Sequence, residues 1–436
     1  MRNTFRRVLF WSVISAAFIG PGTVTTAGKA GAAFGPSLLW ALLFSTLACL
    51  LLQEAAARLP LLSGHNLGQA IRLRYGRWSL PAALALLAIL VGGVAYEAGN
   101  LLGAVAGAGL MLGLPPELVL AVLGVLCAAL LWKGSYRLIA NLLGMVVAAM
   151  GLAFGIVAFR LGPALLPILK GMLLPQLPEG SSWLVVGLIG TTIVPYNLFL
   201  GSGLSHGDTL KGMRQGLIGA VLLGGLISMV IVIACTGLAT SYSFEAVAAY
   251  MEASLGKGGA SLFGFGLFAA GFSSALTAPL AAAITVESIL GKSEAGQEAS
   301  RTPRGRWVWG SVLAAGLLFG LFAGGQNATP VAVIIAAQVL NGLLLPLVSI
   351  LLLFLVNDAR LLSSTQLNPW VSNVLLLGVV GITSLLGLTQ LVRVGEKLGY
   401  AAEEGQVFPI LSGLALLVVL TVGMQLRKLR RGEPGA

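Results

Sequence analysis

Residues 17–29 read Ala-Phe-Ile-Gly-Pro-Gly-Thr-Val-Thr-Thr-Ala-Gly-Lys, inside the first strongly apolar run of the chain. A segment long enough to cross a bilayer is interrupted there by Gly20, Pro21 and Gly22, followed by three threonines and Lys29. Gly20 and Gly22 accept backbone angles that other residues avoid, and Pro21 removes an amide donor, so carbonyls near the break lose their helical partners. In hydrocarbon such groups must be satisfied by protein, water or a solute, which makes the interruption a candidate binding site. Thr23, directly after the break, is the leading ligand-contact candidate. Thr25 and Thr26 either offer further oxygens or cap the restarted half-helix.

The surrounding sequence is that of a polytopic, all-α membrane protein. Of its 436 residues 57% are hydrophobic and 9% charged, against about 25% charged in a soluble domain. Apolar runs of about twenty residues, enough for a hydrocarbon core of ~30 Å, predict spans near 9–34, 36–57, 80–109, 116–132, 143–169, 182–204, 216–240, 259–289, 307–325, 330–356, 369–391 and 405–426. No linker is long enough to bound a soluble domain, so residues 1–400 read as one transmembrane core and 401–436 as a twelfth span with a basic tail. Between spans, SGHNLGQAIRLRYG predicts a short amphipathic helix at the membrane surface, and KSEAGQEASRTPRGR a flexible charged loop.

The net charge of +11 gathers at both ends and in alternate connections, such as Arg72 to Arg77, Lys211 with Arg214, and Lys292 to Arg306. This pattern reports topology and not a nucleic-acid partner: it predicts a protein of the bacterial inner (plasma) membrane with both termini cytoplasmic. Cys49, Cys127 and Cys235 lie in apolar helical sequence without CxxC spacing, and His65 and His206 lie in connections. With no HExxH, no Walker A loop and no nucleophile paired with a base, the sequence predicts no enzyme and no cofactor.

A second interruption, Thr191-Thr192-Ile193-Val194-Pro195-Tyr196-Asn197, lies in the sixth span. Five crossings reverse the direction of entry, so spans 1–5 (about 9–169) and 6–10 (about 182–356) read as two repeats of opposite orientation, each opening on a broken helix. Other polar groups lie deep in apolar sequence. Glu97 is the one carboxylate well inside a span, with Asn100 three residues on; it is a candidate to carry a proton, pair with a cation or lock helices together. Lys29 either snorkels, pairs with Glu54 or Glu97, or serves transport directly. Ser273, Ser274, Thr277, Gln338 and Asn341 are available for a solute or for interhelical hydrogen bonds.

On the stretches 19–40 (IGPGTVTTAGKAGAAFGPSLLW) and 187–204 (GLIGTTIVPYNLFLGSGL), the chain resembles the Nramp family, the natural resistance-associated macrophage proteins, which includes proton-coupled manganese and iron importers. The resemblance implies a LeuT-like fold of 5+5 inverted repeats, with spans 1 and 6 unwound around a central metal site. Its first motif, Asp-Pro-Gly-Asn, falls on Gly20 to Thr23, so that Gly20 replaces the metal-binding aspartate and Thr23 the asparagine. Its second, Met-Pro-His, falls on Val194, Pro195 and Tyr196. The alanine whose carbonyl faces metal falls at Thr191, a site glutamine at Gln338, and the proton-linked aspartate of span 3 at Glu97, with Asn100 in place of a nearby glutamate. Lys29 stands where relatives can carry an acid.

The resemblance therefore implies a site of neutral oxygens, Thr23, Thr191, Gln338 and Asn197, with neither carboxylate nor methionine. Three functions follow as alternatives: an alternating-access transporter of a divalent cation with a degraded site, a transporter of a small organic solute, and a non-transporting sensor or scaffold. The expected partners are the lipid bilayer, the solute or cation, and protons.

Overall fold

The computed structural model describes residues 19–134, 137–205, 209–291, 296–325, 329–397 and 404–433. The first half of the expected first span, His206 and part of the charged 292–306 segment lie outside these residues. The chain runs through α1 (Pro21–Phe34), α2 (Leu39–Ser63), α3 (Leu67–Tyr75), α4 (Leu80–Leu112), α5 (Pro116–Lys133), α6 (Arg137–Leu161) and α7 (Leu165–Leu173). It continues through α8 (Ser182–Thr192), α9 (Pro195–Leu204), α10 (Leu210–Cys235), α11 (Phe244–Leu255), α12 (Gly259–Leu290), α13 (Pro303–Gly325), α14 (Pro330–Leu355), α15 (Trp370–Lys397) and α16 (Glu404–Arg431).

Eleven helical segments among the described residues are long and apolar enough to cross a membrane. The first, Pro21–Ser63, joins the second half of the expected span 1 to all of span 2 through the 3-10 turn Gly35–Leu38; the others match spans 3–12. The helices start and stop where local chemistry dictates. Proline opens α1, α5, α9 and α14, where its missing N–H costs nothing. The Ser79, Thr209, Ser243 and Thr329 side chains cap α4, α10, α11 and α14, and Gly64, Gly113 and Gly134 take left-handed conformations just past α2, α4 and α5.

Burial separates core from periphery. Ser182–Leu204 is 100% buried and Gly259–Leu290 94% buried over their most apolar stretches, against 22% for Pro409–Arg431. The broken helix α8–α9 and α12 therefore lie at the centre, and α16 faces outward. At the core, glycines let backbones touch: a side chain at Gly107 would strike the backbone of Gly264 and Phe268, and one at Gly271 that of Asn100 and Ala104.

The amphipathic segment is α3, begun by a reciprocal capping box of Asn66 and Gln69; it buries Leu67, Ala70 and Ile71 and ends on Arg72 and Arg74. The 292–306 segment corrects the expectation of a flexible loop over its described part. Gly296–Arg301 forms a 3-10 helix with Ala299 fully buried, Thr302 donates to the Glu287 carboxylate at 2.8 Å, and Pro303 opens α13. A polar composition hid one buried alanine and one carboxylate at the end of α12.

Candidate substrate site at the helix breaks

Span 6 is interrupted at Ile193 and Val194, whose backbones leave the helical region (φ −108°, ψ 82° and φ −84°, ψ 121°), Val194 being extended. Pro195 then restarts the helix and, lacking an N–H, leaves the Thr191 carbonyl without its helical donor. Gly20 is likewise extended (φ −91°, ψ 177°) and Pro21 follows it at the start of α1. Both half-helices thus begin in the same way, with an extended residue followed by proline.

Pro21 and Gly22 belong to the first turn of α1, as Thr23 does, and Pro195 to the first turn of α9, so the non-helical residues are Gly20, Ile193 and Val194. Proline is preorganised for that first turn, and Gly22 is needed for space: a side chain there would collide with the Gln338 carboxamide of α14.

The starts of α1 and α9 face each other. Thr23 Oγ1 and Thr191 Oγ1 lie 3.1 Å apart in a buried hydrogen bond between α1 and α8. The Tyr196 ring meets that of Tyr96 edge to face at 5.2 Å. Val194, Tyr196 and Asn197 are buried, and the Asn197 carboxamide, the Tyr196 hydroxyl and Gln338 Oε1 make no hydrogen bond among the described residues. Buried polar atoms in this state ordinarily await a partner. Gly20, Thr23, Thr191, Tyr196 and Gln338 are accordingly brought into one region, where α1, α4, α8, α9 and α14 converge.

The charged residues are arranged differently from the expectation. Glu97 is fully buried without a hydrogen bond to either oxygen, but its Cβ and Cγ pack against Gly316 of α13. Tyr96 and Asn100, four residues apart, share the α4 face that looks towards Gly20, and Glu97, three residues before Asn100, has its carboxylate beside the Asn100 side chain. Glu54 pairs with Arg214 at 2.7 Å and with Arg58 at 3.3 Å, not with Lys29. Lys29 is half-buried and makes no ion pair among the described residues. Nor do three His, Cys, Asp or Glu side chains gather anywhere among those residues. Sequence reading passed over Tyr96, although its four-residue offset from Asn100 puts both on one helical face.

A membrane-spanning bundle whose interrupted helices meet at buried polar groups is the architecture of a secondary transporter. The chain belongs to the Nramp family: the family profile described as natural resistance-associated macrophage protein-like matches residues 12–393. It is 26% identical to the divalent metal cation transporter MntH of Klebsiella pneumoniae strain 342 over 89% of this chain and 94% of that one. It is 29% identical to the protein of the same description from Verminephrobacter eiseniae over 64% of this chain and 67% of that one. Among solved structures, the Eremococcus coleocola manganese transporter shares the fold with a TM-score of 0.73 at 20% identity, covering 99% of this chain and 96% of that one. The nucleobase-cation-symport-1 transporter Mhp1 shares it at 0.60 and 17% identity, over 97% and 92%. The chain is an integral membrane protein.

Proposed function

We propose that the protein carries a divalent metal cation across the membrane by alternating access between the two helix breaks, and that the ion enters the site with part of its water shell. The observation that carries this reading is the meeting of the two proline-started half-helices at the Thr23–Thr191 contact of 3.1 Å, with hydroxyl and amide oxygens around it. Relatives that bear the description of divalent metal cation transporter weigh against the organic-solute and scaffold alternatives. They also favour transport over enzymatic chemistry.

The donor set then narrows the ion. Soft or borderline metals favour thiolate, thioether and imidazole, none of which is at the centre, whereas magnesium prefers oxygen and gives up its waters reluctantly. Thr23, Thr191, Asn197 and Gln338 are suited to accept hydrogen bonds from such a hydrated ion. The repeats near 9–169 and 182–356 form the moving frame, with the 369–391 span and residues 401–436 appended. The arginine-rich face is cytoplasmic, as are both termini, in a bacterial plasma membrane. Glu97, close to the centre with its stem against α13, is the proton carrier of this scheme.

Purified protein in liposomes loaded with a magnesium-sensitive dye tests the proposal. Saturable magnesium uptake that excess cadmium does not inhibit is the expected result. Failure to move any divalent cation would overturn it.

A further inference from the structure

Beside Gly20, three polar groups converge on one point. A Cβ placed on Gly20 would lie 3.1 Å from the Tyr96 hydroxyl, 3.2 Å from Ser274 Oγ and 3.8 Å from Asn100 Oδ1. Tyr96 and Ser274 have no solvent exposure and Asn100 has 1%. No hydrogen bond of ordinary geometry is made by the Tyr96 and Ser274 hydroxyls or the Asn100 amide nitrogen among the described residues; Tyr96 lies beside the hydroxyls of Tyr196 and Thr191, and Asn100 beside the Glu97 carboxylate. Nor does Ser274 spend its hydroxyl on its own helix, as its neighbours do: Ser273 donates to the Ala270 carbonyl and Thr277 to that of Ser274. Leaving several polar groups buried without partners is costly, and convergence on one point suits a shared polar ligand better than separate packing accidents.

We infer that Tyr96 and Ser274 are substrate-contacting, specificity-determining residues, which with Asn100 hold the waters of the transported cation on the α4–α12 side of Gly20. This rests on the transport reading above and extends the site to two residues outside the helix breaks. A carboxylate at position 20 would bind a cation directly and favour a partly dehydrated ion. Here the position carries only hydrogen, and the surrounding oxygens are neutral. Two hydroxyls and a carboxamide oxygen accept hydrogen bonds from metal-bound water, an interaction that an ion keeping its water shell can use and one that sheds it readily cannot. The site then discriminates by hydration, and magnesium is preferred to manganese.

The test compares the intact protein with Tyr96→Phe and Ser274→Ala. The shift of melting temperature with magnesium or manganese chloride is measured in detergent, and uptake of both ions in liposomes. Each substitution removes one hydroxyl, and we expect about a five- to ten-fold rise in the magnesium concentration for half-maximal effect, with a smaller change for manganese. The ion-free melting temperature reports folding. Should Tyr96→Phe fail to fold, Ser274→Ala alone decides. Unaltered half-saturation and unaltered preference in the folded variants would overturn this inference and leave the transport reading standing. An intact protein that neither binds nor moves divalent cations overturns the transport reading, and this inference with it.

Discussion

Thr23 and Thr191 join two half-helices through one buried hydroxyl contact, so each side chain is both a structural tie and a candidate ligand. Replacing either with valine keeps the shape and deletes the oxygen. About 0.5–1.5 kcal/mol of stability should be lost with this hydrogen bond, and the magnesium concentration for half-maximal uptake should rise. A denaturation midpoint measured beside an uptake curve separates the two effects. Glu97→Gln preserves volume in the contact with Gly316 while removing the titratable group. Uptake should then no longer respond to an imposed pH gradient, and an undiminished response would remove Glu97 from the scheme. Of the alternatives open to Lys29, pairing with Glu54 is ruled out at this scale because Arg58 and Arg214 hold that carboxylate.

At the scale of elements, the α4–α12 crossing decides whether the centre can assemble. The position of Gly103 leaves room only for the Pro21 ring, and Gly107 and Gly271 bring the two backbones together. Gly107→Val places a branched side chain against the Gly264 and Phe268 backbone, which has no rotamer by which to yield. A loss of about 1–3 kcal/mol or more is expected, read as a fall in melting temperature and in yield of folded protein. The proline starts of α1 and α9 and the amphipathic α3 were legible beforehand, since Pro, Gly and an amphipathic pattern act over a few residues. The described part of the 292–306 segment was not, because its order comes from packing on α12 and not from its own composition.

Across the whole molecule, the arginine-rich face is held by a polar network between distant parts of the chain. Arg74 of α3 pairs with the buried Asp358 after α14, Arg58 of α2 donates to Asn368, and Arg430 of α16 donates to Asn357 Oδ1 and to the Asn368 carbonyl at 2.6 Å. Asn373 of α15 completes it by bonding Asn357 at 2.8 Å. Removing one member of a buried ion pair is strongly destabilising, so Asp358→Asn should cost about 3–5 kcal/mol. Thermal unfolding in detergent checks this; no change would mean that the face is held by apolar packing alone. None of these partners was foreseeable, since they lie up to 310 residues apart.

From the amino acids alone came the spans and the interruptions at Gly20-Pro21 and Val194-Pro195, because hydropathy and the backbone chemistry of proline and glycine are local properties. Which groups face each other belonged to the fold. Only close helix packing sets the stem of Glu97 against α13 and brings Tyr96 and Asn100 beside Gly20, and only it sets Thr23 against Thr191. Neighbouring positions on a helix point about 100° apart, so the same five-residue stretch serves two different neighbours, and the identity of those neighbours is decided by long-range contact.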